Sequence, residues 1–246
     1  MNTFKRKLQL SFIIFVFTVV FVPAINAQAE ILNKPTGVKL NAQRFGEEFE
    51  IIWDFDNDLK SYCDTDLYVG YGYEIRVTNA KNKVLAKYDT DDIYRLIKDH
   101  SKCAVSFKMR QLMTKAFKVK IRSYIFDINN QYTYSPVAEK VIVPRPRANI
   151  GGVLGKNKVK ICWTKISGAK SYTLYLAKKR GSKKVSFKKV ATTKKTSAIV
   201  GNIKINQQYY VYASANGVKF GKKRYNSTKV ADKGSYIQDG FSLYYK

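Results

Sequence analysis

Apolar and polar residues alternate with a period of two through much of the chain after residue 30. Successive side chains of a strand point to opposite faces, so this alternation is typical of strands with one face buried. Helical spacing is rare, and 91–99 is the main segment that fits one or two helical turns. The pattern predicts an all-β protein. The clearest alternating stretches of the first half are Phe49–Trp53, Tyr73–Val77 and Phe117–Ile121.

The second half repeats this order of strands. A Trp-containing strand is again followed by a Tyr-x-apolar strand, but Trp163 precedes Tyr172 by 9 residues, whereas Trp53 precedes Tyr73 by 20. The same unit therefore occurs twice, with an insertion in the first copy. Pro144-Arg-Pro-Arg147 marks the boundary, because proline cannot donate to a strand ladder. These features predict tandem domains at 30–144 and 145–232, followed by an aromatic tail or extra strand at 233–246.

The second copy resembles a known family. A buried Trp, a Tyr-x-apolar strand and a late Tyr-x-Val strand within about 100 residues are typical of an antiparallel sandwich. Val159–Tyr175 resembles strands B and C of bacterial fibronectin type III domains, and 190–197 resembles their C′–E segment. Ile203, six residues before Tyr209, is similar to their leucine and corner-tyrosine pair.

The first copy is a more divergent match to the same family. Lys34–Leu40 resembles strand A and Tyr134–Pro136 the entry to strand G, but Phe117 stands in place of the corner tyrosine. The resemblance implies two tandem fibronectin type III-like (immunoglobulin-like) antiparallel β-sandwiches. It also implies a binding or spacer role and no reaction.

The N-terminus has the three parts of a secretory signal. Basic residues at 5–7 precede an apolar run at Leu8–Val22, and small residues follow at Ala27 and Ala29. Because the run is shorter than the roughly 18 residues that span a bilayer, cleavage is favoured over an uncleaved anchor. We expect a signal peptide at 1–29, a secreted or cell-surface location, and no membrane span after cleavage.

Positive charge is concentrated in the second half. The chain carries a net charge of +27. Residues 30–145 hold 19 Lys and Arg against 16 Asp and Glu, whereas 146–246 hold 23 against 2. Such an asymmetry is informative about partners. It favours an anionic extracellular polymer, namely a cell-wall polymer, an acidic polysaccharide, or nucleic acid as a generic polyanion.

Strand alternation also predicts a ligand-binding face in the second domain. If Tyr172 and Tyr209 face the core, their neighbours face outward on adjacent strands. Aromatic rings stack on flat apolar surfaces, and lysines pair with phosphate or carboxylate. The alternative is that tyrosine is present for its β-propensity and lysine for solubility. The candidate residues are Tyr175, Tyr210 and Tyr212, flanked by Lys184 and Lys188.

Catalytic and metal-binding patterns are weak. His100 is the single histidine and lies in a polar stretch, so neither a histidine-based triad nor a zinc site is predicted. Asp54, Asp56 and Asp58 have the opening spacing of a calcium loop, but Leu59 replaces the turn glycine. We expect no enzymatic activity, no cofactor and no metal.

The cysteines suggest one disulfide. In a fibronectin type III sandwich the B–C loop, which holds Cys63, and the segment before strand E, which holds Cys103, lie at the same pole. The resemblance therefore implies a Cys63–Cys103 bridge in an exported protein, with two free thiols as the alternative. Cys162 should point outward, either free or paired between molecules.

These observations favour a secreted, non-catalytic adhesion protein whose second domain contacts an anionic polymer. The alternative is a protein–protein interaction or spacer module that acts through the long B–C loop at 57–68. Such a module could be accessory to an extracellular enzyme.

Overall fold

A computed structural model describes most of the chain after residue 31. The predicted signal peptide at 1–29 and most of the tail at 233–246 lie outside the described residues. No helix in the described part is long and apolar enough to cross a membrane. The described residues are 32–44, 47–59, 68–89, 96–97, 101–155, 157–178, 186–204, 206–230 and 240–242.

The first half forms two antiparallel sheets. One sheet has the order β1-β2-β6-β5, and the other has the order β4-β3-β7-β8, with β9 also pairing with β7. The strands are β1 (Lys39–Arg44), β2 (Glu48–Asp54), β3 (Tyr68–Thr78), β4 (Val84–Asp89), β5 (Leu96–Ile97), β6 (Lys102–Lys108), β7 (Phe117–Asp127), β8 (Tyr132–Tyr134) and β9 (Ala138–Ile142).

The second half repeats the arrangement. Its sheets have the orders β10-β11-β14 and β13-β12-β15-β18, and β16 and β17 form a separate hairpin. The prediction of an all-β fold with antiparallel sheets is confirmed. The strands are β10 (Ala148–Val153), β11 (Val159–Trp163), β12 (Ser171–Lys178), β13 (Lys188–Thr193), β14 (Ser197–Val200), β15 (Gln208–Asn216), β16 (Val218–Phe220), β17 (Lys223–Tyr225) and β18 (Gly240–Ser242).

A Trp–Tyr pair lies at the same place in each core. The rings of Trp53 and Tyr73 meet edge to face at 5.3 Å, and those of Trp163 and Tyr172 lie 5.8 Å apart. Each tyrosine hydroxyl also accepts a backbone N–H at 3.0 Å from the segment after the Trp strand. Aromatic packing and a satisfied hydroxyl together fix the crossing from one sheet to the other in both halves.

The connection that leads into β7 in the first half and the one that leads into β15 in the second half are stabilised differently. The hydroxyl of Tyr209 accepts the backbone N–H of Lys204 at 2.9 Å, which forms a tyrosine corner. Phe117 has no hydroxyl at the equivalent position. A short 3₁₀ helix at Arg110–Leu112 precedes it, and the last amide of that helix donates to the carbonyl of Met109 at 2.9 Å. Local backbone bonding therefore replaces the corner in the first half.

The segment between the two sandwiches is buried rather than solvated. The side chain of Gln43 is fully buried and makes two hydrogen bonds with the backbone of Arg145. Its Oε1 accepts the Arg145 N–H at 2.8 Å, and its Nε2 donates to the Arg145 carbonyl at 3.0 Å. The linker is thereby fixed to β1 of the first sandwich.

The chain also returns to the first sandwich after β17. The N–H of Thr228 donates to the Val143 carbonyl at 2.8 Å, and the hydroxyl of Ser227 donates to the Pro144 carbonyl at 3.0 Å. Val230 is buried in the core of the first sandwich. Residues on both sides of the junction are therefore held by hydrogen bonds and by apolar packing.

The tyrosine corner should stabilise the second sandwich measurably. Tyr209→Phe leaves the Lys204 N–H without its acceptor, which should lower the free energy of unfolding by about 1–2 kcal/mol. Urea denaturation of the chain from residue 30 onward measures this difference. Tyr175→Phe is the matched control, because its hydroxyl makes no hydrogen bond within the described residues. Equal stabilities of the two variants would contradict the role of the corner.

The contact between Gln43 and Arg145 should contribute more to the free energy of unfolding than the tyrosine corner does. Gln43→Leu keeps an apolar side chain of similar size but leaves a buried N–H and a buried carbonyl of Arg145 unsatisfied. We expect a loss of about 2–4 kcal/mol, since each orphaned buried group costs about 1–3 kcal/mol. Calorimetric unfolding tests this. Gln131→Leu, at an exposed position, is the control. An unchanged transition in Gln43→Leu would show that the linker is held by other contacts.

Candidate functional site

The first sandwich neutralises its charges internally. The carboxylate of Glu74, 5% exposed, lies within 2.8–3.3 Å of the cationic groups of Arg122, Arg76 and Lys87. Burial of this carboxylate opposes its ionisation, but hydrogen bonds from Arg76 and Arg122 outweigh burial and hold the pKa of Glu74 below its ordinary 4.5. The negative charge of Glu74 is therefore balanced by these three side chains within the first sandwich.

The second sandwich lacks this compensation. Nine ion pairs are found among the described residues, and all of them join residues between Arg44 and Glu139. The sequence from 146 to 246 offers only Asp232 and Asp239 as carboxylates for its 23 basic side chains. Most of its positive charge must therefore be balanced by counterions or by a bound polyanion.

Two of the three predicted tyrosines form a stacked pair. Tyr175 on β12 lies directly opposite Tyr212 on β15, and their rings stack with centroids 4.6 Å apart and planes 11° from parallel. The ring of Phe187 meets Tyr212 edge to face at 4.8 Å. The guanidinium carbon of the linker residue Arg145 lies 5.9 Å from the Tyr212 ring centroid, within cation–π range. These four side chains define what we call the aromatic face.

Tyr210 does not share the exposure predicted for it. Its side chain is only 6% exposed. It pairs with Ala177 on one side and with Gly240 of β18 on the other, so β15 is flanked by two strands at this position. The pairing with β18 joins distant segments, which the alternation pattern could not reveal.

The lysines near the aromatic face also differ from the expectation. The register between β12 and β13 shifts between Leu174 and Tyr175, which skips Val190. As a result Lys188 lies opposite Leu176, and Lys189 lies opposite Tyr175. Lys189 rather than Lys188 is thus the cation beside the tyrosine pair. Lys184 lies outside the described residues.

A second basic surface was missed by sequence reasoning. A cleft of about 990 Å³ is lined by residues of β1 and β9 from the first sandwich and by the β16–β17 hairpin and the segment after it. We call it the basic cleft. Its lining combines residues that are up to 191 positions apart in sequence (Lys39 to Val230), so no local pattern indicates it. The lysines that line it are Lys39, Lys118, Lys140, Lys222, Lys223 and Lys229.

The acidic residues of the first sandwich have structural partners. Asp54 accepts hydrogen bonds from Lys102 at 2.6 Å and from Thr36 at 2.9 Å, and these bonds lower its pKa. Asp56 accepts the backbone N–H of Asp58. No group of three or more metal-ligating side chains is found in the part of the chain that the structure describes.

The cysteines are in two different environments. Cys103 is a buried free thiol, and its burial raises its pKa to about 12. Cys103 is thus unbridged in the structure. Cys63, its predicted partner, lies outside the described residues, and the bridge stays a prediction for the oxidised protein. Cys162 is half-buried, with its Sγ against Gly151, where a Cβ atom would come within 2.4 Å.

Thiol counting tests the predicted bridge. We expect the oxidised, denatured chain from residue 30 onward to react with one equivalent of a thiol reagent, at Cys162. The matched Cys162→Ser variant should then give none. Three reactive thiols in the unreduced protein would contradict the Cys63–Cys103 bridge.

Comparisons with known proteins give a weak structural similarity. No family model and no curated protein matches the chain. Among solved structures, it is similar to the crystal structure of the chicken CNTN1 FN1–FN3 domains, with a TM-score of 0.32 and 13% sequence identity. The match covers 80% of this chain and 67% of that one.

Proposed function

We propose that this chain is an exported, non-catalytic binding protein whose second sandwich contacts an anionic extracellular polymer. The observation that carries the proposal is the uncompensated charge of residues 146–246, with 23 basic and 2 acidic side chains. Unpaired ammonium groups on a folded surface attract polyanions and release counterions when they bind. We also propose that both sandwiches are members of the bacterial fibronectin type III family.

The aromatic face adds a short-range contact to this attraction. The stacked pair of Tyr175 and Tyr212 offers apolar ring surface, and Lys189 lies directly across from Tyr175. A ring beside an ammonium group suits a polymer that alternates apolar carbon surface with negative charge, as sugar phosphates and acidic polysaccharides do. Electrostatic attraction then brings the polymer to the surface, and contact with the two tyrosine rings fixes its position.

The non-catalytic part of the proposal rests on how the carboxylates are used. Asp54 is bonded to Lys102 and Thr36, and Glu74 is surrounded by three cations. General acid–base catalysis requires a carboxylate that exchanges a proton near neutral pH. The pKa values of both groups are lowered, which keeps them ionised. Burial raises the pKa of Asp56, whose carboxylate accepts the backbone N–H of Asp58.

Retention on cell-wall material tests the proposal. The chain from residue 30 onward should bind walls that retain their anionic polymers and should lose at least about tenfold in affinity between roughly 50 and 500 mM salt. Walls stripped of those polymers should not retain it. Salt-independent retention, or retention on stripped walls, would overturn the proposal.

Two variants locate the contact. Tyr175→Ala with Tyr212→Ala should weaken retention at moderate salt, because the ring surface is lost while the charge remains. Replacing 60–67 with a short turn, which spares the buried Leu59 and the strand β3, should leave retention unchanged. If the loop replacement alone abolished binding, the contact would be a protein partner of the first sandwich.

A further inference from the structure

We infer that the basic cleft is a binding groove for a phosphodiester segment of a polyol-phosphate polymer. This rests on the proposed function and places its ligand at a site to which both sandwiches contribute.

The walls of the basic cleft are fixed by contacts across the junction. Thr228 makes two hydrogen bonds with the backbone of Val143, through its own N–H at 2.8 Å and its hydroxyl at 2.9 Å. Val230, two residues on, is buried in the first core. The lysine between them, Lys229, is therefore held at the cleft by anchored neighbours. A preorganised site loses little entropy when it binds a ligand.

The hairpin that forms the other wall is also braced. Gly221 has a φ of +60° at the first position of its two-residue turn, a conformation that glycine adopts without strain. The N–H of Gly217 donates to Asn226 at 3.0 Å, and Arg224 donates to the Gly217 carbonyl at 2.7 Å. These bonds close the base of the hairpin, so its tip presents Lys222 and Lys223 at a defined place.

Most of the lining cations form no ion pair within the part of the chain that the structure describes. Glu139 is the one carboxylate among the described lining residues, and Lys118 and Lys120 already bind it at 2.9 and 3.1 Å. No described carboxylate lies within ion-pair distance of the remaining lysines of the β9 and hairpin walls. An incoming anion therefore meets four available ammonium groups, those of Lys140, Lys222, Lys223 and Lys229.

The lining chemistry suits phosphate. The described lining residues include lysines but no arginine. An ammonium group is a compact point charge that pairs with a tetrahedral phosphate from many directions, without the fixed two-pronged geometry of a guanidinium. A groove of about 990 Å³ is at the upper end of ligand pockets, so it has room for a polymer segment rather than one ion.

The same lining disfavours nucleic acid. Binding of single strands normally includes stacking of bases on exposed aromatic rings. Phe220, one of two aromatic residues in the lining, is only 8% exposed and packs against Tyr225 at 6.4 Å. Asn82 instead supplies an amide group suited to polyol hydroxyls. The backbone of the expected ligand therefore carries hydroxyls, not bases.

Charge reversal in the cleft tests the inference. The double variant Lys222→Glu with Lys229→Glu is compared with Lys194→Glu with Lys195→Glu, an equal charge change at exposed positions outside the cleft lining. The probe is lipid-free polyglycerol phosphate, titrated calorimetrically. We expect the cleft variant to bind about tenfold or more weakly, with a log–log salt slope shallower by roughly 1–2. The control should lose less than about threefold.

The possible outcomes separate the inference from the proposed function. Equal losses of affinity in the two variants would overturn the inference that the basic cleft is the binding groove. General polyanion binding, the proposed function, would remain intact. No binding of polyglycerol phosphate by the unmodified chain, together with no retention on walls, would overturn both. Tighter binding of oligodeoxythymidylate than of polyglycerol phosphate, lost in the cleft variant, would assign the groove to nucleic acid and overturn the polyol-phosphate inference. Equal thermal stability of the two variants confirms that folding is unaffected.

Discussion

The arrangement of this molecule depends on how one buried backbone amide is satisfied. Pro144 and Pro146 have no N–H, so Arg145 carries the only backbone donor between Val143 and Arg147. The linker is buried, and a buried N–H must find an acceptor. Gln43 provides that acceptor and donates in return to the Arg145 carbonyl. A glutamine on β1 thus holds the linker in place through two hydrogen bonds, and we call this contact the fixed joint.

The fixed joint gives the basic cleft its shape. With the linker held to β1, the segment after β17 lies close enough to hydrogen-bond with Val143 and to bury Val230 in the first core. The hairpin of β16 and β17 then faces β9 across the cleft. Arg145 connects the joint to the aromatic face as well, because its side chain reaches Tyr212. Both candidate surfaces therefore depend on the same few contacts.

Periodicity predicted the features that are local in sequence. The alternation around Trp53, Tyr73 and Trp163 identified strands, and the spacing of their aromatic residues identified a repeated sandwich. Features that depend on pairing between distant segments escaped prediction. The register shift at Val190 places Lys189 rather than Lys188 opposite Tyr175, and β15 pairs with β18 beside Tyr210, which is buried. The contact between Gln43 and Arg145 joins positions 102 residues apart, a separation over which no sequence pattern operates.

The division of charge between the two sandwiches has a consequence for selectivity. Long-range attraction does not distinguish one polyanion from another, because beyond about 10 Å at 0.1 M salt only net charge matters and even that is screened. A protein that relied on its lysines alone would bind every acidic polymer it met. Selection must come from contacts at hydrogen-bonding or stacking distance, where ring surface, hydroxyl groups and ammonium spacing are all felt. The cleft and the stacked tyrosines are the two places where this chain offers such contacts, and the first sandwich contributes Lys39 and Lys140 to the lining of the cleft. Rigidity of the junction is therefore a requirement of selectivity and not only of stability.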